Sequence, residues 1–315
     1  MNANLELLFL LPDLIFAFSL ALSVSFTVLS GVNGLYALPS GKYPKLHSLA
    51  AYQLLVTVIF ALLVKAQLFY LHGSAFGSAF SFSGVSNLAQ LLTLALGLLV
   101  YVYIFTLEET QTLEFWIFST LFLYANYALV ASSDLLLAFL LFELQSFNSY
   151  ALIALARHRV LSLEAALKYF LLGTVGSIFF LLSVALVYFF LGTTSVTDIF
   201  LLSISLEQPY FVVFAMVPVI SAILLKLSAF PFHMWAPDVY GVLRTPVLLA
   251  FSVLPKLAFW AFFLVAILPI LIATKAFLDS SFIFYLGVAG IVFGSLAAFR
   301  QPDLRRFVAY SGVAN

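Results

Sequence analysis

Nine stretches of this chain run apolar for long enough to cross a lipid bilayer, and four lysines and one mid-span glutamate stand inside them. A spanning helix needs roughly 17 to 25 apolar residues, and the stretches 7–29, 49–70, 88–106, 113–130, 135–156, 163–191, 211–230, 246–270 and 282–299 meet or approach that length. An ammonium near the middle of such a helix is unfavourable by about 2.5 to 3.5 kcal/mol on insertion scales, so it needs an opposite charge, a water-filled cavity or a neutral amine. The lysines concerned are Lys65, Lys168, Lys226 and Lys256, whereas every arginine falls in a connection. Arginine keeps its proton in proteins and lysine can release it when desolvated, so the cations placed in the membrane are the titratable ones.

Composition closes off other classes. With 64% hydrophobic and 8% charged residues, an ordinary soluble domain is excluded and the expected fold class is an all-α polytopic membrane protein. No cysteines and four histidines leave no ligand set for an iron–sulfur or zinc cluster and no paired haem ligands. A formal charge of zero without a basic block gives no support to a nucleic-acid partner, and membrane lipids are the expected surroundings. The opening MNANLELLFLLPD is acidic and lacks a basic region and a small-residue cleavage site, which reads as a retained helix.

Loop charge sets an orientation. Lys42, Lys45, Arg157, Arg159, Arg244, Arg300, Arg305 and Arg306 lie in the connections after odd-numbered spans, against Lys275 alone on the other side. Positive charge favours the cytoplasmic or matrix face, so the N-terminus is expected on the opposite one.

The stretch 226–256 is the densest in unusual features. Pro231, Pro237 and Pro246 crowd between Lys226 and Lys256. Each removes a backbone donor, and a broken helix is tolerated in a membrane only where the freed groups face protein or water. Glu143 sits in the middle of the fifth span, with Ser146 and Tyr150 following at helical spacing, so one face of that helix carries a polar stripe. Intramembrane charges of this kind mark function more often than a mere packing lock. Lys168 stands four residues after Glu164, the spacing of an ordinary helix-surface pair. Lys65 is close enough to Tyr70 to reach a membrane face. His233 is placed either to relay protons at the break or to cap a broken helix end. Trp235 and Trp260 read as packing groups, and Asp13, Asp134 and Asp238 as capping or solvated carboxylates.

The run PFHMWAPDVY, followed by TPV and then PK, resembles the antiporter-like membrane subunits of respiratory complex I, and DVY ahead of the TP element is most similar to subunit 2 of that complex. There is one departure. The family's Tyr-Glu-Gly-x-Pro-Thr is replaced by Tyr240, Gly241, Val242, Leu243, Arg244 and Thr245, so no loop carboxylate carries over. The resemblance implies about nine transmembrane helices plus the start of a tenth, with an antiporter-like five-helix repeat and an interrupted helix. It divides the chain into three leading helices (1–106), the first repeat (107–272) and a ninth helix with the start of a second repeat (273–315).

The same resemblance implies proton translocation through a mid-membrane Glu/Lys line, coupled to NADH oxidation and quinone reduction elsewhere in the complex. Glu143 matches the family's central glutamate, Lys226 its partner, Lys256 the next link and Lys168 a modulator of Glu143; His233 joins them as a proton-transfer candidate. A Glu143 carboxylate close to Lys226 would hold the ammonium protonated, and a weakened pair would free that proton for Lys256. No cofactor is expected in this chain, with FMN, iron–sulfur clusters and ubiquinone in other subunits. The implied partners are other membrane-arm subunits and a separate polypeptide supplying further C-terminal helices, since DLRRFVAYSGVAN resembles the opening of a tenth helix. The implied location is the mitochondrial inner membrane, with the N-terminus toward the intermembrane space. A subunit of a multi-chain sodium/proton antiporter and a structural subunit that no longer conducts are the competing expectations.

Overall fold

A computed structural model describes residues 3–32, 44–107, 112–155, 160–205, 210–274 and 281–314. Lys42, Arg157, Arg159 and Lys275, which carry much of the charge asymmetry, lie outside the described residues. In hydrocarbon no water is available to backbone groups, so each segment satisfies its own N–H and C=O as a helix. The helices are α1 (Ala3–Phe9), α2 (Leu11–Val32), α3 (Pro44–Gln67), α4 (Gly84–Thr106), α5 (Leu113–Ala131), α6 (Leu135–Ala154) and α7 (Val160–Leu191). They continue with α8 (Val196–Ser205), α9 (Tyr210–Leu227), α10 (Trp235–Val242), α11 (Thr245–Phe262), α12 (Leu268–Ala273), α13 (Ser281–Phe299) and α14 (Leu304–Ala314). Among the described residues seven helices are long and apolar enough to cross a membrane, with shorter apolar helices at Leu11–Ser25, Val196–Ser205 and Phe284–Phe299.

Helix α5 is the centre of the bundle. With 72% of its apolar window buried it is the most enclosed span, and α2, α3, α4, α6 and α11 pack around it. Beyond Glu114 in its first turn, its length is apolar on all sides, interrupted only by small or uncharged polar residues such as Ser119, Thr120 and Asn126, which is the pattern of a helix surrounded by other helices. Helix α7 packs on α6, α9 and α10; its 32 residues rise about 48 Å, more than the hydrocarbon thickness, so its ends stand in the interfacial layers.

Two breaks in the helices are built by sequence. After Leu227 the chain turns at Ser228, whose φ of 55° is left-handed, and helix resumes only at Trp235. The expected interrupted helix is therefore present as α9 and α10, and the seventh span ends three residues before the expected Phe230. The eighth span changes to a π turn over Phe263–Ile267 before α12, a feature the apolar pattern did not disclose. Pro269, second in α12, lacks the N–H that an unbroken α-helix would use there, so the ladder shifts by one residue just before it.

The Gly/Ser-rich connection after α3 folds as a hairpin, β1 (Gly73–Ala75) paired antiparallel with β2 (Phe80–Phe82). This hairpin ties together the connections on one face of the bundle. Ser133 N–H donates to the Ala79 carbonyl at 2.8 Å, Val196 N–H to Ser133 at 2.9 Å and Leu135 N–H to Thr194 at 2.9 Å. Asp134 caps α6 by accepting from the N–H groups of Leu136 and Leu137 at 2.8 and 3.0 Å, and the Thr194 hydroxyl donates to its other oxygen at 2.6 Å. Replacing Asp134 by Ala removes the cap and the cross-link, and we expect a loss of about 1 kcal/mol or more. Thermal unfolding of the solubilised protein beside Thr194→Val checks it: the aspartate variant should melt lower than the threonine variant.

Candidate functional site

The break after α9 places an ammonium where no water-filled membrane surface reaches it. Lys226 is one residue from the end of α9 and only 4% exposed. Its Nζ donates to the Ser146 hydroxyl at 2.7 Å, and it lies over the rings of Phe142, Tyr169 and Tyr150 at 5.0, 5.0 and 5.7 Å. Ring faces carry negative potential, so an ammonium held among three of them recovers part of its lost hydration. At this burial Lys226 does not reach out to a membrane interface.

Glu143 lies on α6 one turn before Ser146, and its charge acts directly on Lys226. Among the described residues the two do not form a direct ion pair; Lys226 bonds instead to Ser146 on the same helix as Glu143, and that hydroxyl donates in turn to the Phe142 carbonyl at 2.7 Å. One carboxylate oxygen of Glu143 is buried without a hydrogen-bond partner. Buried polar atoms are rarely left so, and an ordered water is the ordinary solution. The polar stripe on α6 thus consists of Glu143, Ser146 and Tyr150 as its spacing indicated, with Gln145, Asn148 and Ser149 buried beside it.

Aromatic packing closes the pocket. Tyr169 on α7 stands 5.2 Å from Tyr150 and 4.7 Å from Trp235, centroid to centroid. Trp235 donates its indole N–H to the Leu225 carbonyl at 2.9 Å, satisfying a group exposed by the break. Gly173 is the residue that admits Tyr150: a Cβ there would collide with the tyrosine hydroxyl. Neither Tyr169 nor Gly173 is recognisable as a site residue from sequence, since each is one more small or aromatic residue in an apolar helix.

The remaining candidates are held elsewhere. Lys256 is half-buried on α11 and donates to the Gly312 carbonyl of α14 at 3.1 Å, while Ser252 turns its hydroxyl to Leu249. One link between the helices of the two lysines is apolar: Phe142, under Lys226, packs at 5.5 Å on Phe259, which is one turn from Lys256. Lys168 is exposed and pairs with Glu164 at 3.0 Å, as the four-residue spacing indicates, and with Asp238 of α10 at 3.2 Å. Asp238 is therefore an ion-pair partner rather than a merely solvated carboxylate. His233 is buried between α9 and α10, its ring packed on Phe230 and Phe293 at 5.6 and 4.5 Å. Its Nδ1 has no partner among the described residues, and burial pushes the imidazole below its ordinary value, which favours the neutral form. Lys65 does not snorkel past Tyr70. It is 1% exposed, because the hairpin folds over it and sets the Phe82 ring 4.5 Å from its Nζ. Among the described residues no group of three or more His, Asp or Glu side chains is arranged to hold a metal.

A polytopic helical bundle with a broken helix, a buried lysine at the break and a carboxylate on the facing helix defines an ion-moving class of membrane protein. Residues 132–315 match the family described as NADH:quinone oxidoreductase/Mrp antiporter, TM, and the chain belongs to that family. It is 30% identical to NADH-quinone oxidoreductase subunit N of Francisella tularensis, over 100% of this chain and 64% of that protein. It is 31% identical to subunit N of Ruthia magnifica, over 76% of this chain and 51% of the relative. The chain thus spans about half to just under two-thirds of these relatives. Among solved structures, a chain of respiratory complex I from Thermus thermophilus superposes with a TM-score of 0.72 at 28% identity, covering 94% of this chain and 62% of that one. The membrane-bound sulfane sulfur reductase, an archaeal respiratory membrane complex, shares the fold with a TM-score of 0.74 at 22% identity, covering 96% and 62%.

Ser146 is the residue through which the site is joined. Its replacement by Ala leaves a buried ammonium without its acceptor, and we expect a loss of about 1.5 to 3 kcal/mol, with Ser146→Thr largely retaining stability. Thermal melting of the two solubilised variants tests this; equal melting would show that the hydroxyl contact contributes nothing.

Proposed function

We propose that this chain is a proton-translocating membrane subunit of a complex I-type NADH:quinone oxidoreductase, and that Glu143 and Lys226 form its central exchange pair. The observation that carries the reading is the Lys226 ammonium, buried among aromatic rings and joined through Ser146 to the helix of Glu143. An ammonium in that position keeps its proton while the Glu143 charge is near, and releases it when that charge is neutralised or withdrawn. Lys256 takes the proton next. Because Phe142 and Phe259 pack between the two, transfer requires those rings to part and water to enter. Lys168, paired with Glu164 and Asp238 on α10, biases the position of α10 and so acts on the break rather than touching Glu143. His233 accepts a proton at its unpartnered Nδ1.

The domain boundaries at 106 and 272 accompany this reading, with α2 to α4 as leading helices and the repeat beginning at α5. The partners would be other membrane-arm subunits, which hold the redox centres. A mitochondrial inner membrane location, with the N-terminus toward the intermembrane space, follows from the loop charges and the resemblance; the named relatives are bacterial, which supports a bacterial plasma membrane equally. A second reading, sodium/proton exchange in a multi-chain antiporter, has support in the scope of the family itself.

Replacement in the intact complex separates these readings. Glu143→Gln and Lys226→Met are each expected to lower the protons moved per electron during NADH oxidation. Lys226→Arg should fail as well, since guanidinium retains the charge but does not release the proton. Normal pumping in all three variants would refute the exchange pair, and sodium-dependent proton exchange without NADH would establish the antiporter reading in its place.

A further inference from the structure

The leading helices contain a second charge constellation, with Lys65 and Tyr127 buried and Asp13 and Tyr124 half-buried, that the Glu143 and Lys226 pair does not use. Asp13 opens the first helical turns of α2, Lys65 closes α3, and Tyr124 and Tyr127 stand one turn apart on α5. Phe16, one turn after Asp13 on α2, packs on the rings of Tyr124 and Tyr127 at 5.6 and 6.0 Å, which sets the Asp13 carboxylate beside Tyr124 and within the field of Lys65. Tyr127 is fully buried, lies within the field of Asp13 and Tyr124, and its hydroxyl has no hydrogen-bond partner among the described residues. Overhead, the Phe82 ring covers the ammonium at 4.5 Å and stacks on Phe9 at 5.0 Å with 7° between planes.

We propose that Asp13, Lys65, Tyr124 and Tyr127 form a second proton-binding site, roofed at Lys65 by the β1–β2 hairpin and hydrated by water bound at the Tyr127 hydroxyl. Three features favour proton binding over a structural lock. First, a buried ion pair is stable only with direct contact and full hydrogen bonding, yet among the described residues no direct ion pair joins Asp13 to Lys65. Second, an orphaned hydroxyl beside the carboxylate calls for a water, and a water in that gap provides a path for a proton. Third, the elements packed around the site contribute no compensating charge. The hairpin presents Phe82, α4 presents uncharged Gln90, whose side chain donates to the Tyr127 carbonyl at 3.3 Å, and α5 presents the two tyrosines. Glu6 on α1 and the exposed His72 beside the hairpin are the other titratable groups on the elements at this end.

The step is balanced against the aqueous phase. At the lower pH a proton enters from water, passes through the bound water and joins the Asp13 carboxylate while Lys65 keeps its ammonium, so the site gains one positive charge; at the higher pH the proton leaves by the same path. Tyr124 turns from donor to acceptor of the new carboxyl proton. Exchange with the aqueous phase requires the stacked Phe9 and Phe82 rings to separate, which places control of access in the hairpin.

Infrared difference spectra of the intact complex, recorded between two pH values either side of neutrality, test the site without relying on turnover. A protonated-carboxyl C=O band is expected that disappears in Asp13→Asn, shifts in Tyr127→Phe and persists in Glu143→Gln. Should Asp13→Asn fail to assemble, the Tyr127→Phe shift alone decides. A carboxyl band unaltered by Tyr127→Phe, or one that vanishes in Glu143→Gln, would overturn the proposal. Because the band is read independently of pumping, its loss and the failure of the Glu143–Lys226 pair remain distinguishable.

Discussion

The structure depends on keeping one ammonium out of water. Lys226 stands at the end of a helix that stops just after it, and α6, α7 and α10 converge on that end. Each contributes a group that answers the desolvation: the Ser146 hydroxyl on α6, the Tyr169 ring on α7, and Trp235 on α10, which supports Tyr169 and occupies the Leu225 carbonyl. In a medium without water these contacts substitute for a hydration shell. The break, the aromatic box and the small residue at Gly173 are consequences of that requirement.

The pairing with Glu143 is indirect, and that matters for how the site could move a proton. A direct, fully bonded ion pair would be a deep minimum with little tendency to change state. An ammonium held by a serine hydroxyl and aromatic rings, with an unpartnered carboxylate oxygen on the same helix as that serine, makes a shallower arrangement that hydration or a small helix movement can alter. The apolar contact of Phe142 with Phe259 stands between Lys226 and the turn that carries Lys256. On the proposed reading such a dry segment keeps protons apart until it opens, as a translocating chain requires if it is not to leak.

A similar arrangement stands beside α5, the most enclosed span. There Lys65 is buried under the hairpin with no direct ionic contact to Asp13 among the described residues, again near an orphaned polar atom, the Tyr127 hydroxyl. The hairpin that covers Lys65 also carries the hydrogen bonds binding three connections into one face. Structural closure of that face and burial of Lys65 therefore rest on the same backbone.

Much of this was legible in the amino-acid order. Apolar length set the helices, prolines announced the break, and the spacing of Glu143, Ser146 and Tyr150 placed one polar face on α6. The family signature around His233 and Trp235 pointed to the class to which the chain belongs. What sequence could not disclose were contacts between residues distant along the chain: Lys226 with Tyr169, Lys256 with the Gly312 carbonyl, Lys168 with Asp238, and Lys65 with Phe82. Lys65 is the instructive case, because position relative to Tyr70 indicated a snorkelling cation and the fold of a Gly/Ser-rich connection buried it instead. Periodicity is a local property and fixes which face of a helix is polar. Whether that face meets a carbonyl, a ring or a carboxylate is decided by helix packing, which brings together groups that no local pattern relates.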